Sequence, residues 1–220
     1  VKVIYMGFNS LEETPSYDYL SRMKKLSALD LGHNKLHTVH PFGKGINLVK
    51  LYLNNNKLTL IPAAPDGYFS DYQDGEIMNF AYNELTVVPD IFNAKSMYVI
   101  DQVDFSNNKI SELENGEAFK GFNASTVNLS NNHFEVMPRG IITSGAPISY
   151  LIMAGNGMTE IPEGTFKGAK AYSLVSVDLS YNKLKELPED FRATNLPYLY
   201  GVDVSANRFE EIPQHPLNSA

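Results

Sequence analysis

The sequence predicts an α/β-type repeat solenoid, a stack of short coils whose strands line up as one parallel sheet. Three observations predict it. An asparagine recurs nine times, at Asn9, Asn34, Asn56, Asn83, Asn108, Asn132, Asn156, Asn182 and Asn207, with intervals of 25, 22, 27, 25, 24, 24, 26 and 25 residues. Apolar residues hold fixed offsets from it, five and three positions before and two after. A coil of about 25 residues offers some six core side chains, worth about 1.5–3 kcal/mol each when buried, against about 1–2 kcal/mol per residue to order its backbone. No coil folds alone; each needs neighbours on its flanks.

The strand of each coil is marked by its apolar pair. The pairs are Ile4 and Met6, Leu29 and Leu31, Leu51 and Leu53, Met78 and Phe80, and Val103 and Phe105. Val127 and Leu129, Leu151 and Met153, Val177 and Leu179, and Val202 and Val204 complete the series. A spacing of two puts both members on one face of a strand. The residue two after the asparagine closes the core: Leu11, Leu36, Leu58, Leu85, Ile110, Phe134, Met158, Leu184 and Phe209. The asparagine sits where the chain leaves the sheet. Its amide both donates and accepts, so a ladder of such residues is expected to satisfy backbone groups that the bend leaves unpaired.

The returns between strands carry Pro62, Pro89, Pro138, Pro162, Pro188 and Pro213, which favour extended or short 3₁₀ segments over full helices. Their aromatic residues Phe42, Phe92, Phe119, Phe166 and Phe191 are expected as core wedges. Only Ser16 to Lys25 shows a helical face, with Leu20 and Met23 inward. Two places break the rhythm. AAPDGYFSDYQDGE after Pro62 reads as a looped insertion, with Gly75 in the first core slot and Phe69 or Tyr72 covering it. Ala124 occupies the same slot two coils later.

A net charge of −7 and the lack of any Lys/Arg run argue against nucleic acid and anionic membrane surfaces as partners. No apolar run approaches the roughly 20 residues that span a bilayer. There is no cysteine, which rules out disulfides and thiol chemistry. The carboxylates Asp66, Asp71, Asp74 and Glu76 miss the spacing of a calcium loop. His33, His37 and His40 are spaced as on a helix but fall at a strand-to-return bend, so they are not assigned a metal. Asn123 and Asn128 begin N-x-S sequons, and Asn128 belongs to a strand. No nucleophile–base pair or phosphate loop appears; no catalytic residue, metal or cofactor is assigned.

One coil, Leu174 to Pro188, reads LVSVDLSYNKLKELP, and the figure runs through the whole chain. It resembles the leucine-rich repeat family, pattern LxxLxLxxNxLxxLP. The resemblance implies a right-handed horseshoe with a parallel concave sheet and mostly irregular or 3₁₀ convex segments. The LSNN and LSYN forms, the proline after the fourteenth position and the missing cysteines resemble bacterial repeat proteins, especially surface proteins of gut anaerobes. Residues 1–220 are expected to form a single repeat domain. Neither end shows an amphipathic cap, so this stretch is expected to be a fragment of a longer protein.

Function is expected on the solvent face of the sheet, at positions alternating with the core pair. The central row reads Tyr5, Asp30, Tyr52, Asn79, Asp104, Asn128, Ile152, Asp178 and Asp203, and the row two residues later is small almost throughout. That small row is expected to leave room for a partner. Tyr52, Ile77, Asn79 and Tyr82 form one candidate patch; Tyr150 and Ile152, near Asp178 and Tyr181, form another. With Asp104 and Asp203, these are the candidate partner-binding residues. The reading is a non-enzymatic recognition module for a protein, or for a glycan, at the surface of a bacterium or outside it. Two rivals predict the same fold: the substrate-recognition arm of a larger enzyme, and a cell-surface adhesion spacer.

Overall fold

A computed structural model describes residues 1–41, 48–62, 74–91, 98–116, 119, 122–143, 147–167 and 173–213. Phe42, Phe92, Asp66, Phe69, Asp71 and Tyr72 lie outside the described residues. Nine strands form one parallel sheet in the order β1 (Val3–Tyr5), β2 (Ala28–Asp30), β3 (Lys50–Tyr52), β4 (Asp74–Asn79), β6 (Tyr98–Asp104), β8 (Phe122–Asn128), β9 (Ile148–Ile152), β10 (Ser176–Asp178) and β11 (Gly201–Asp203). Each belongs to one turn of the solenoid, numbered one to nine here.

The register is the one that the asparagine alignment dictates. Val3, Ala28, Lys50, Ile77, Gln102, Thr126, Tyr150, Ser176 and Gly201 pair in one row across the sheet. The core residues alternate with them and point inward as the pleat requires. From Leu29 to Leu179 the inward pairs are buried in a single apolar cluster. At the outer turns burial falls off. Ile4, Val202, Val204 and Phe209 only pack against the cluster, and Met6, read as a core residue, is 39% exposed. Gly75 and Ala124 both pair with Ile100 and are buried, so the small slots sit against a larger neighbour.

Aromatic residues fill the thickness between sheet and returns. Phe80 stacks on Phe105 at 4.8 Å between ring centres, the repeat of the strands themselves. Phe166 meets Phe191 edge to face at 4.7 Å. Phe119, Phe166 and Phe191 are buried, as wedges should be.

The returns are mostly irregular. The helix α1 covers Tyr17–Ser21, shorter than the Ser16 to Lys25 expected, and buries Leu20. The 3₁₀ turn η1 (Glu114–Gly116) is of the kind expected in the returns, whereas the four-residue helix α2 (Gly140–Thr143) was not anticipated. Nor was a second parallel pairing, between β5 (Val87–Val88) and β7 (Glu112–Leu113) on the return side. Isolated bridges Glu13–Thr38 and Val136–Glu160 repeat that pairing elsewhere.

Candidate functional site

The bend after each strand sets the geometry of the open face. The residue before each ladder asparagine is left-handed: Phe8, His33, Asn55, Tyr82, Asn107, Asn131, Tyr181 and Ala206 have φ between 53° and 57°, and Gly155 has 68°. This turns the chain out of the sheet while its amide still reaches the next turn, as in Tyr82 N–H to Ser106 O (3.0 Å) and Tyr181 N–H to Ser205 O (3.0 Å).

The asparagine then turns inward. In Asn83 the side-chain amide donates to Phe80 O and Ala81 O of its own turn and to Leu53 O of the turn before. Its Oδ1 accepts from Leu58 N–H of that earlier turn at 3.0 Å. Asn34, Asn56, Asn108, Asn132, Asn156, Asn182 and Asn207 repeat the arrangement. Asn9 of the first turn is exposed and donates only to Met6 O and Gly7 O of its own turn.

The central row has a local job as well. Oδ1 of Asp30, Asn79, Asp104, Asn128, Asp178 and Asp203 accepts from the backbone N–H two residues on, at 2.8–3.1 Å. Aspartate or asparagine at this position is therefore a turn residue before it is anything else. At Asp203 the Ser205 hydroxyl and then its amide hold the carboxyl below its ordinary pKa, so the charge persists at neutral pH.

The small row needs a correction. It is an open shelf only in part. Gly32, Ala81, Ser106 and Ser180 are buried. A Cβ on Gly32 would lie 2.9 Å from Asn54 Oδ1 and 3.2 Å from Asp30 Oδ1. At Gly32 crowding by the turn itself calls for a small residue, whereas Gly7, Asn54, Ser130 and Ala154 are half-buried and Ser205 is exposed.

What remains outward is aromatic and acidic. Tyr150 is 45% exposed, Tyr82 56% and Tyr181 72%. Tyr82 and Tyr181 stand on the left-handed bend at the sheet's edge, whereas Tyr52, Ile77, Asn79, Asp104, Ile152 and Asp178 are half-buried on the strands. Asp203 is exposed. Register brings Tyr52 beside Asn79, Asn79 beside Asp104, Ile152 beside Asp178, and Asp178 beside Asp203. Lys50 forms an ion pair with Glu76 at 2.7 Å.

Sequence reasoning passed over several exposed aromatic residues, Tyr19, Tyr198 and Tyr200 among them, and Phe8, which stacks on His33 at 4.1 Å. Phe8 and His33 occupy the bend position, where the signal was the aromatic residue before the ladder asparagine. The three histidines do not converge as ligands. His33 lies on Phe8, His37 is exposed, and His40 bonds Thr14 through its backbone amide and Nδ1. Among the described residues no group of three or more His, Cys, Asp or Glu is placed to hold a metal ion. An open groove of about 620 Å³ lies among the returns, lined in part by Glu112, Leu113, Val136, Met137 and Arg139.

With this geometry in place, two comparisons decide the family. The family model "Leucine Rich Repeat" matches residues 47–67 and 173–193. A crystal structure of a leucine-rich repeat protein from Bacteroides thetaiotaomicron superposes over 99% of this chain with a TM-score of 0.87 and 42% identity. The chain is built of leucine-rich repeats. A second such protein, from Bacteroides eggerthii, covers all of the chain at 39% identity with a TM-score of 0.84. The chain spans 27% and 37% of those two structures. Osteomodulin of Rattus norvegicus is 27% identical over 203 residues, 89% of this chain and 45% of that protein. The chain thus spans less than half the length of these relatives.

Proposed function

We propose that the open face of the leucine-rich-repeat sheet recognises a protein partner, and that residues 1–220 act as one binding domain without catalysis of their own. The observation that carries this reading is the face itself. The ladder, the bend and the small row account for most positions, yet Tyr52, Tyr82, Tyr150 and Tyr181 are not required by any of them. Tyr82, Tyr150 and Tyr181 are exposed and Tyr52 half-buried, and tyrosines so placed supply contact area at low entropic cost, which is why they anchor interfaces. One uninterrupted sheet and one core support the single-domain assignment.

The setting we infer is the surface of a bacterium or the space outside it. Likeness to the two Bacteroides proteins supports the bacterial part of that inference. No helix among the described residues is long and apolar enough to cross a membrane.

The test is selection of 12-residue peptides from a random phage-displayed library on the immobilised chain. Peptides that bind the face should lose about tenfold in affinity for the Tyr52→Ala/Tyr150→Ala variant. That variant should unfold within about 1 kcal/mol of the parent. Selected peptides that bind the tyrosine variant as well as the parent would refute the reading.

A further inference from the structure

Turns one and nine expose what the interior turns hide. The residue before the return proline is buried at Ile61, Val88, Met137 and Ile161, but its counterpart on turn nine, Ile212, is 73% exposed. On turn one Met6 is open where Leu31, Leu53 and Phe80 are sealed, and Val3 and Tyr5 beside it are exposed too.

Hydrogen bonds give these two surfaces a direction. At each interior joint the N–H groups that follow the strand donate to carbonyls of the next turn. Met6 N–H reaches Asp30 O (2.7 Å) and Phe8 N–H reaches Gly32 O (3.0 Å), just as Leu179 and Tyr181 reach Asp203 O and Ser205 O. The amide two residues beyond the ladder asparagine donates to Oδ1 of the next asparagine, as Leu11 does to Asn34 and Leu184 to Asn207, both at 3.0 Å. Among the described residues, the N–H groups of Val204, Ala206 and Phe209 on turn nine meet no such acceptor, and Asn9 Oδ1 on turn one meets no such donor. Turn nine is left with donors and turn one with acceptors. Their spacing agrees because both are faces of one repeating joint.

We propose that the turn-nine end of one copy of this chain receives the turn-one end of a second copy, so that copies add head to tail. Val204 and Ala206 N–H would meet Tyr5 O and Gly7 O, the counterparts of Asp30 O and Gly32 O. Phe209 N–H would meet Asn9 Oδ1, and the open slots at Met6 and Ile212 would close. A foreign strand could pair with one edge, whereas a second copy completes either end and brings the apolar slots into register. A two-fold dimer would set donors against donors, so the contact is heterologous. It runs along the array and leaves the open face free for the partner proposed above. Glu210 and Glu211 would face Glu12 and Glu13, which hold the same offsets from their asparagines, so added salt should tighten the contact.

Sedimentation velocity of the full 220-residue chain is the test. Its average mass should rise above one copy by about 100 µM, and further with salt. Asn9→Ala, which strands the Phe209 amide in the joint, and Ile212→Lys, which puts a charge into it, should each weaken self-association about tenfold. Both side chains are exposed in the single copy, so melting temperatures should stay at the parent's. Mixed in equal amounts, the two variants should form one-to-one complexes through their unaltered ends and nothing longer. A parent that remains a single copy would overturn the proposal. Variants that associate as the parent does would place the contact on another face and overturn it too. A mixture that stays single while the parent associates would overturn the head-to-tail arrangement.

Discussion

At the residue scale, the ladder asparagine does more for this fold than its polarity suggests. Asn132 is buried, its Oδ1 accepts from Ile110 N–H, and its amide serves Phe105 O, Leu129 O and Ser130 O. Truncation would strand these groups where water cannot reach, at about 1–3 kcal/mol each for those left without a partner. Asn132→Ala is expected to lose at least about 3 kcal/mol in urea unfolding. Asn9→Ala, whose side chain is exposed and reaches only its own turn, should fall within about 0.5 kcal/mol of the parent. Equal losses at the two sites would mean that the ladder is not what links turn to turn. The aspartates of the central row, read as contact residues, also hold their turns: Asp104, Asp178 and Asp203 accept a backbone amide through Oδ1.

At the element scale, strands were legible and returns were not. A strand of three residues announces itself through alternation and through eight copies elsewhere in the chain. The helix α2 has four residues, too few for a helical period, and β5 and β7 have two each. Such short pieces form because the neighbouring turn lies at hydrogen-bonding distance. Gly140 marks one of these contacts: a Cβ there would come 2.0 Å from Gly116 O, at the end of η1. Backbone would have to move, since carbonyl oxygen is not the loose end of a side chain. Gly140→Ala is expected to destabilise by about 1–3 kcal/mol, measured by denaturant titration. A neutral result would show that η1 and α2 adjust independently of the stack.

At the scale of the whole molecule, stability is shared between neighbours along one dimension. The longest strands are in the middle, seven residues in β6 and β8 against three in β1, β2, β10 and β11. Interior turns are covered on both flanks, while Met6 and Val204 are covered on one. Amide hydrogen exchange should therefore be slowest in β6 and β8 and quicken towards β1 and β11. Uniform protection along the sheet would indicate all-or-none unfolding of the array.

The sequence by itself determined the fold class, the number of turns, the register of the sheet and the course of the asparagine ladder. Periodicity carries that information, because every turn must present the same core positions to the next. Only the tertiary structure decided how far the small row is open, which aspartates sit side by side, and that Tyr82 and Tyr181 stand on left-handed bends. Those properties depend on what lies across the gap between neighbouring turns. A linear chain records spacing along itself, whereas crowding and charge contact arise between residues some 25 positions apart.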